Sequence, residues 1–473
     1  MNILLYYEGS CFGDGLLGKS SYGLIGYHLY EFIGKCLIGH PDVDFRLVLS
    51  EAAAFANADT HLLDQLNPVT LTDEDLFSVL GGGSSLETLF LRMFHSRLSA
   101  EEEGRYADLI RRKLGDWEPD VIIPFPVHNE YISRIYPKAL VLNNENGMFA
   151  RQPFPHSIRY EPLRYIRNFT NVYADRIGSF PVSGRETGEV AEFRTAVTGL
   201  IERFNPLHDR LAEVRSRFEQ TVLLPLITGN EYEESEYGDE FAFFNGVVSA
   251  IPKNIGIIVT KHDNTRGKLN ANVLPYLKEK FPNVVFADNL DSPLGEYLSP
   301  SLNYFGAVDA VLNCMTGTGL LATLWDTRIV AIDRCYSHWF SDCTGLDGLA
   351  EKLARPVRDR TSLIYWYLTH YAVFERRYTD GDWMFRFLSD KLEYYRRNGL
   401  TFELFGKIEE FGDVSQYVFE TTESELERRE RERKSAAEAR YRERHCAYGK
   451  IANRLEKWAR RLREKAKDSC HRP

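Results

Sequence analysis

Two series of short apolar runs, with helical patterning between the runs, constrain the fold of this chain more than any other feature. A short run that is apolar at every position has two faces to bury, and a parallel sheet covered by helices on both sides buries both. The first series comprises Ile3 to Tyr7, Phe45 to Leu49, Val121 to Pro124 and Ala139 to Leu142. The second comprises Val222 to Ile227, Ile255 to Thr260, Val284 to Ala287, Val308 to Asn313 and Ile329 to Ile332. After Lys19, residues Leu24, Ile25, Leu29, Phe32, Ile33 and Cys36 share a helical face, and Ser99 with Glu102 reads as a capping box opening a helix through Leu114. A helical stretch from about Phe193 to Glu219 separates the two series. The expected fold is therefore α/β, two doubly wound Rossmann-like domains, with ligands beyond the carboxyl ends of the strands in a cleft between them. The 473 residues, 44% of them hydrophobic, suffice for two cores. The expected divisions are residues 1–215, 216–390, closing helices 391–420 and a helical tail 421–473.

A formal net charge of −10 argues against a body that binds nucleic acid through a basic surface. No apolar run is long enough to span a bilayer, and Met1 leads straight into an apolar strand, so neither a membrane span nor a leader is expected. Seven cysteines, an odd number without a C-x-x-C pair, point away from a disulfide framework and from a zinc site, and toward a reducing cytoplasm.

The tail differs in kind. From Thr421 onward it carries seventeen Lys/Arg against ten Asp/Glu, in a chain that is acidic overall. Its first part, Glu425 to Lys434, is a solvated helical pattern. Farther on, Ile451, Leu455, Trp458, Ala459 and Leu462 form one stripe, flanked by Arg454, Lys457, Arg460, Arg461 and Arg463. A basic amphipathic helix of this kind suits an anionic bilayer surface, with Trp458, Arg460, Arg461 and Leu462 as the contact residues. Packing on protein, or a coiled coil, would use the same stripe.

Several segments carry chemistry. Gly13 to Ser20 matches the phosphate-loop pattern G-x-x-x-x-G-K-[ST], although Glu8 to Phe12 separate it from the preceding strand. It reads either as a phosphate loop or as an acceptor-facing loop offering Gly13, Asp14, Lys19 and Ser20. Glu145 lies in Asn143-Asn-Glu-Asn-Gly147, a loop expected just past the strand Ala139 to Leu142. There its carboxylate is placed to deprotonate an acceptor hydroxyl, or alternatively to make a turn. Lys261 and His262 follow the strand Ile255 to Thr260, and Thr316-Gly317-Thr318-Gly319 follows the strand Val308 to Asn313. Both turns are expected at the carboxyl ends of neighbouring parallel strands. A lysine charge, an imidazole, glycine-lined amides and two hydroxyls together suit a phosphate-bearing ligand. Alternatively, Thr316 to Gly319 is a tight strand-to-helix turn with a threonine cap.

In order along the chain, these phrases resemble those of the capsule polysaccharide biosynthesis glycosyltransferases, a group that includes the Kdo transferases of capsule export linkers. Leu142 to Phe149 is similar to the family's Glu-x-Gly-Phe loop, and Val222 to Leu226 to the strand opening its C-terminal domain. Val259 to His262 resembles its Lys-His-His-Pro phrase, and Thr316 to Ala322 its Ser-Thr-x-Gly-x-Glu-Ala phrase. Trp339 to Asp390, with Thr344-Gly-Leu346, Trp366, Tyr367 and Phe374, resembles its closing region.

The resemblance implies a GT-B fold and a metal-independent glycosyltransferase without a cofactor, peripheral on the cytoplasmic side of the inner membrane. Its substrates would be a nucleotide sugar and a bacterial surface glycan or lipid-linked acceptor. Glu145 would be the base, Lys261 and His262 would face the donor phosphate, and Thr316, Gly317, Thr318 and Gly319 would hold the nucleotide. Asp263-Asn264 stands where the family has His-Pro, and Leu321 where it often has Glu. The donor therefore stays open among CMP-, UDP- and GDP-linked sugars, CMP-Kdo included. Two readings from other classes also stay open: a phosphate-loop ATPase or kinase using Gly13 to Ser20, and a non-catalytic scaffold of capsule assembly.

Overall fold

Strand order shows how the two apolar series are used. In a computed structural model the described residues are 1–7, 37–51, 54, 66–80, 89, 92–93, 97–125, 130–150, 152–163, 168–205, 208–226, 240–260, 273–287, 300–314, 317–332 and 336–469. The first series forms β1 (Asn2–Tyr7), β2 (Asp44–Ser50), β4 (Val121–Phe125) and β5 (Leu140–Val141), and β3 (Pro68–Leu71), outside the expected series, joins them. All pair in parallel, in the order β3-β2-β1-β4-β5. After β6 (Asn143–Asn146) and β7 (Ser157–Glu161), the second series supplies β8 (Gln220–Pro225), β9 (Ile255–Thr260), β10 (Val284–Phe286), β11 (Ala310–Asn313) and β12 (Arg328–Ala331), and β13 (Cys343–Thr344), outside the expected series, adds an edge. These six are also parallel, in the order β10-β9-β8-β11-β12-β13. In each sheet the chain starts at the centre, winds outward one way, then returns and winds the other way. The fold is thus α/β with two doubly wound sheets, whose switch points lie between β1 and β4 and between β8 and β11.

Two local expectations need correction. The helical stretch expected over Phe193 to Glu219 is two helices, Gly184–Arg203 and His208–Ser216. Asn205 precedes a proline, which disfavours helical backbone at Asn205 and supplies no N–H of its own. The helix expected over Leu320 to Trp325 instead spans Gly317–Ala322. The capping box forms as expected. Ser99 Oγ accepts from the Glu102 amide at 3.3 Å and Glu102 Oε2 accepts from the Ser99 amide at 2.8 Å, opening the helix Ala100–Leu114.

A third sheet has no counterpart in the expected pattern. β6 and β7 pair antiparallel, and β14 (Val373–Phe374) adds to the other side of β7. The C-terminal segment therefore returns to the N-terminal half of the chain. Its helix Gly381–Asn398 packs near β5, and Arg396 pairs with Asp120 at 2.5 Å. The same segment is anchored to the six-stranded sheet through the fully buried Arg360. This guanidinium donates to the carbonyls of Trp325 and Thr327 at 3.0 Å each and pairs with Asp342 at 2.5 Å. Asp342 in turn accepts from the Ile329 amide of β12 at 2.7 Å.

Contacts divide the chain into two compact units, Met1–Phe419 and Glu420–Pro473. Both parallel sheets belong to the first. The described residues of the second, 420–469, belong to the helix Phe411–Ser469, which carries pairs three and four residues apart, including Arg428 with Glu425 and Glu432, and Arg433 with Glu430. Residues 431–442 are exposed on every side, so local ion pairs rather than a buried stripe support that stretch. Among the described residues no helix is long and apolar enough to cross a membrane.

Candidate functional site

One residue, Leu142, separates β5 from β6, so the antiparallel sheet β6-β7-β14 starts at the carboxyl edge of the first doubly wound sheet, the edge at which open α/β sheets generally bind ligands. Glu145 lies in β6, where a loop was expected. The correction is physical: Asn143 to Asn146 find a complete antiparallel partner in β7, with Asn143 opposite Glu161 and Glu145 opposite Arg159. Alternation puts Asn143, Glu145, Arg159 and Glu161 on one face.

The turn after Glu145 is fixed by close approach. Gly147 donates to the Ser157 carbonyl at 2.8 Å, and a Cβ at position 147 would stand 3.0 Å from that oxygen and closer still to Ser157 Oγ. Ser157 in turn donates its amide to the Phe149 carbonyl at 2.8 Å. Facing this sheet is a π-helical turn, Tyr367–Tyr371, closed by the Ala372 amide on the Tyr367 carbonyl at 2.8 Å. Its first tyrosine hydroxyl accepts from the Met148 amide at 2.9 Å, and burial pushes that phenol up to about 12.

Charge on this face is concentrated and mostly buried. Arg159 is 3% exposed and Glu161 1%, whereas Glu145 retains partial exposure. Glu161 Oε1 accepts from the amides of Leu163 and Phe169 at 2.9 and 2.8 Å, and Oε2 accepts from the Tyr371 hydroxyl at 2.8 Å. Despite these donors, burial lifts the Glu161 pKa to about 7. Desolvation also raises the Glu145 pKa, opposed by Arg159 and by the Asn146 amide. At the strand's end His156 bridges Asn146 Oδ1 at 3.2 Å and the Tyr378 hydroxyl at 3.0 Å, and burial depresses its pKa to about 4. The face therefore offers a partly accessible carboxylate with a raised pKa, backed by a buried cation and a second carboxyl group. Such a group can accept a proton from a hydroxyl.

In the second sheet, β9 and β11 are not neighbours as expected. β8 lies between them, because a doubly wound sheet begins at its centre and adds strands to either side. β9 ends at Thr260, whose Oγ1 shares a hydrogen bond of 2.7 Å with Ser301 Oγ. At the end of β11 the buried Asn313 accepts from the Gly319 amide at 3.2 Å, and a Cβ on Gly319 would stand 2.5 Å from Asn313 Cγ. Gly319 is thus required by the packing of this turn. Gly317 is exposed and Thr318 half-buried beside it. Lys261, His262 and Thr316 lie outside the described residues, as do Gly13, Asp14, Lys19 and Ser20. The side chains of Trp458, Arg460, Arg461 and Leu462 do as well.

No family model matches this chain, and no curated protein does. Solved structures do match. The beta Kdo 2,7 transferase KpsC of Thermosulfurimonas dismutans is 12% identical, with a TM-score of 0.35 over 62% of this chain and 90% of that one. UDP-GlcNAc 2-epimerase from Neisseria meningitidis is 12% identical, with a TM-score of 0.27 over 89% and 99%. HepE of Anabaena, in complex with UDP-glucose, is 10% identical, with a TM-score of 0.29 over 90% and 100%. At this level of similarity the fold rests on the strand orders above.

Arg159, Glu161, Tyr367 and Tyr371 carry no signal in the sequence that marks them as one group. Ser157 to Glu161 reads as an ordinary alternating strand with its charges outward, and the tyrosines as part of an aromatic run. Only the return of the C-terminal segment buries them together. Among the described residues no group of His, Cys, Asp and Glu could hold a metal ion.

Proposed function

We propose that this protein is a glycosyltransferase that moves a sugar from a nucleotide-sugar donor to a glycan or glycolipid acceptor. The observation that carries the reading is Glu145, a partly exposed carboxylate with a raised pKa on a sheet that begins at the carboxyl edge of one doubly wound unit, in a chain with a second such unit. In this reading the acceptor hydroxyl gives its proton to Glu145 as its oxygen bonds to the anomeric carbon, and the nucleotide leaves with the electron pair of the broken bond. The donor occupies the edge of the six-stranded sheet, where Lys261 and His262 follow β9, and Thr316, Gly317, Thr318 and Gly319 follow β11. Cations, amides and hydroxyls of that kind neutralise a departing phosphate without a metal. The basic tail brings the enzyme to lipid-linked acceptors at the cytoplasmic face of the inner membrane.

A thermal-shift series with CMP, UDP, GDP and ATP tests the reading, because a ligand that binds only the folded state raises its apparent stability. One of the first three nucleotides should stabilise the protein and ATP should not. Stabilisation by ATP that is lost in Lys19→Ala would replace the transferase with a phosphate-loop enzyme. With the matching donor, Glu145→Gln and His262→Ala should each abolish transfer while the protein stays folded.

A further inference from the structure

Behind Glu145 stands a second carboxyl group that shares the same cation. Arg159 is directly opposite Glu145 across the β6–β7 ladder, and Glu161 is two residues along β7 on the same face. The guanidinium interacts electrostatically with both carboxyl groups. Glu161 is held by two backbone amides and by the Tyr371 hydroxyl, while Glu145 keeps partial exposure. Among the described residues the other titratable groups on this site are Tyr367 and Tyr371 from the π-helical turn, and His156 with Tyr378 at the far end of β6. β4, which also packs on β6, contributes Val121 to Phe125 and nothing titratable.

We propose that Arg159 and Glu161 are positioning residues for Glu145, forming one shared-cation unit in which Glu161 holds a proton so that Arg159 serves the ionised Glu145. One buried guanidinium balances one carboxylate; a second negative charge on the same dry face is repelled by the first. The two carboxyl groups therefore titrate as a coupled pair, in which a neutral Glu161 leaves Arg159 to lower the pH at which accessible Glu145 becomes a base. Neither Arg159 nor Glu161 touches the acceptor. The inference rests on the reading of Glu145 as the base.

The test is an infrared titration of the full-length protein carrying isotope-labelled glutamate, comparing wild type with Glu145→Gln, Glu161→Gln, Arg159→Lys, Arg159→Met and Tyr371→Phe. Difference against Glu161→Gln isolates the Glu161 carboxyl band, and difference against Glu145→Gln the Glu145 band. Glu161 titrates with Glu145 already ionised, so in Glu145→Gln the Glu161 midpoint should fall by about one pH unit, a tenfold change in its proton affinity. Tyr371→Phe removes a donor to ionised Glu161 and should raise the Glu161 midpoint. In Glu161→Gln the amide replaces a carboxyl group that is already neutral, so the Glu145 midpoint should stay where it is, whereas Arg159→Met should raise it and Arg159→Lys should restore part of it. A Glu161 midpoint unchanged in Glu145→Gln, or a Glu145 midpoint unchanged in Arg159→Met, would overturn the inference. Because the titration needs no donor or acceptor, absence of transfer with every nucleotide sugar would sink the proposed function separately. With an active donor, the acidic limb of the kcat/KM profile should follow the infrared midpoints.

Discussion

Tyr371 donates its hydroxyl to Glu161 Oε2 at 2.8 Å, joining the π-helical turn of the C-terminal segment to the central strand of the three-stranded sheet. The bond crosses 210 positions of sequence. Burial keeps water from the Glu161 charge, and against this donated bond it lifts the pKa to about 7.

That shift fixes a pH dependence. The folded pKa of Glu161 lies above its ordinary value of 4.5, so the native state holds a proton that the unfolded chain has already lost. The stabilisation is complete below pH 4.5 and disappears as pH rises through 7. At this depth of burial the difference amounts to about 3 kcal/mol. In urea unfolding, wild type should lose about that much more stability between pH 5 and pH 8 than Glu161→Gln, whose side chain does not titrate. Parallel pH profiles for the two proteins would refute the shift.

Arg360 and Asp342 make a different use of burial. Their side chains are 1% and 5% exposed, and both are also bonded to backbone, Arg360 to the carbonyls just before β12 and Asp342 to an amide within it. Arg360→Ala should cost about 3 to 5 kcal/mol in chemical denaturation, because it leaves a carboxylate buried without its cation. A loss below about 1 kcal/mol, typical of a surface pair, would show that the latch is solvated.

How much of this was legible in the sequence follows from the range of the forces involved. β1, β2, β4 and β8 to β12 announce themselves because a strand buried on both faces must be apolar throughout, a property of the strand alone. The capping box at Ser99 and Glu102 is equally local. β6 is Asn-Asn-Glu-Asn, with no strand composition at all, and exists because β7 offers it a ladder. β14 has two residues and pairs with a strand some 200 positions earlier, so nothing near it in sequence reveals the partner. Glu145 was legible as a candidate from its place after a strand. Arg159, Glu161, Tyr367 and Tyr371 were not, since what makes them chemically unusual is burial supplied by a remote segment.

Gly147 illustrates the same point at one residue. Its amide and its missing Cβ both meet Ser157, so any side chain there must push β6 away from β7 just beyond Glu145. Gly147→Ala should destabilise the protein by about 1 to 3 kcal/mol, the range for forcing an extra carbon into a packed position. Ser157→Ala in the same chain should relieve part of that cost by removing the hydroxyl, while the carbonyl contact persists. If Gly147→Ala proves neutral in urea unfolding, the close approach is not rigid and the geometry assigned to Glu145 is wrong.

The tail is tested by its charge. Arg460 and Arg461 belong to a segment with seventeen cations against ten anions, beside an apolar stripe of Ile451, Leu455, Trp458 and Leu462. Each cation near an anionic surface contributes about 1 kcal/mol, so removing two weakens vesicle binding by about thirtyfold and reversing them weakens it further. Full-length protein should float with vesicles containing anionic lipid and not with neutral ones, and Arg460→Glu with Arg461→Glu should release it. Salt should act in the same direction, since screening shortens the reach of the surface potential. A coiled coil built on the same stripe behaves differently: its apolar seam survives the two reversals, so the variant would keep wild-type oligomeric mass by light scattering and wild-type flotation. Unchanged flotation of the double variant would remove the membrane from the proposed function and leave the stripe to a protein partner.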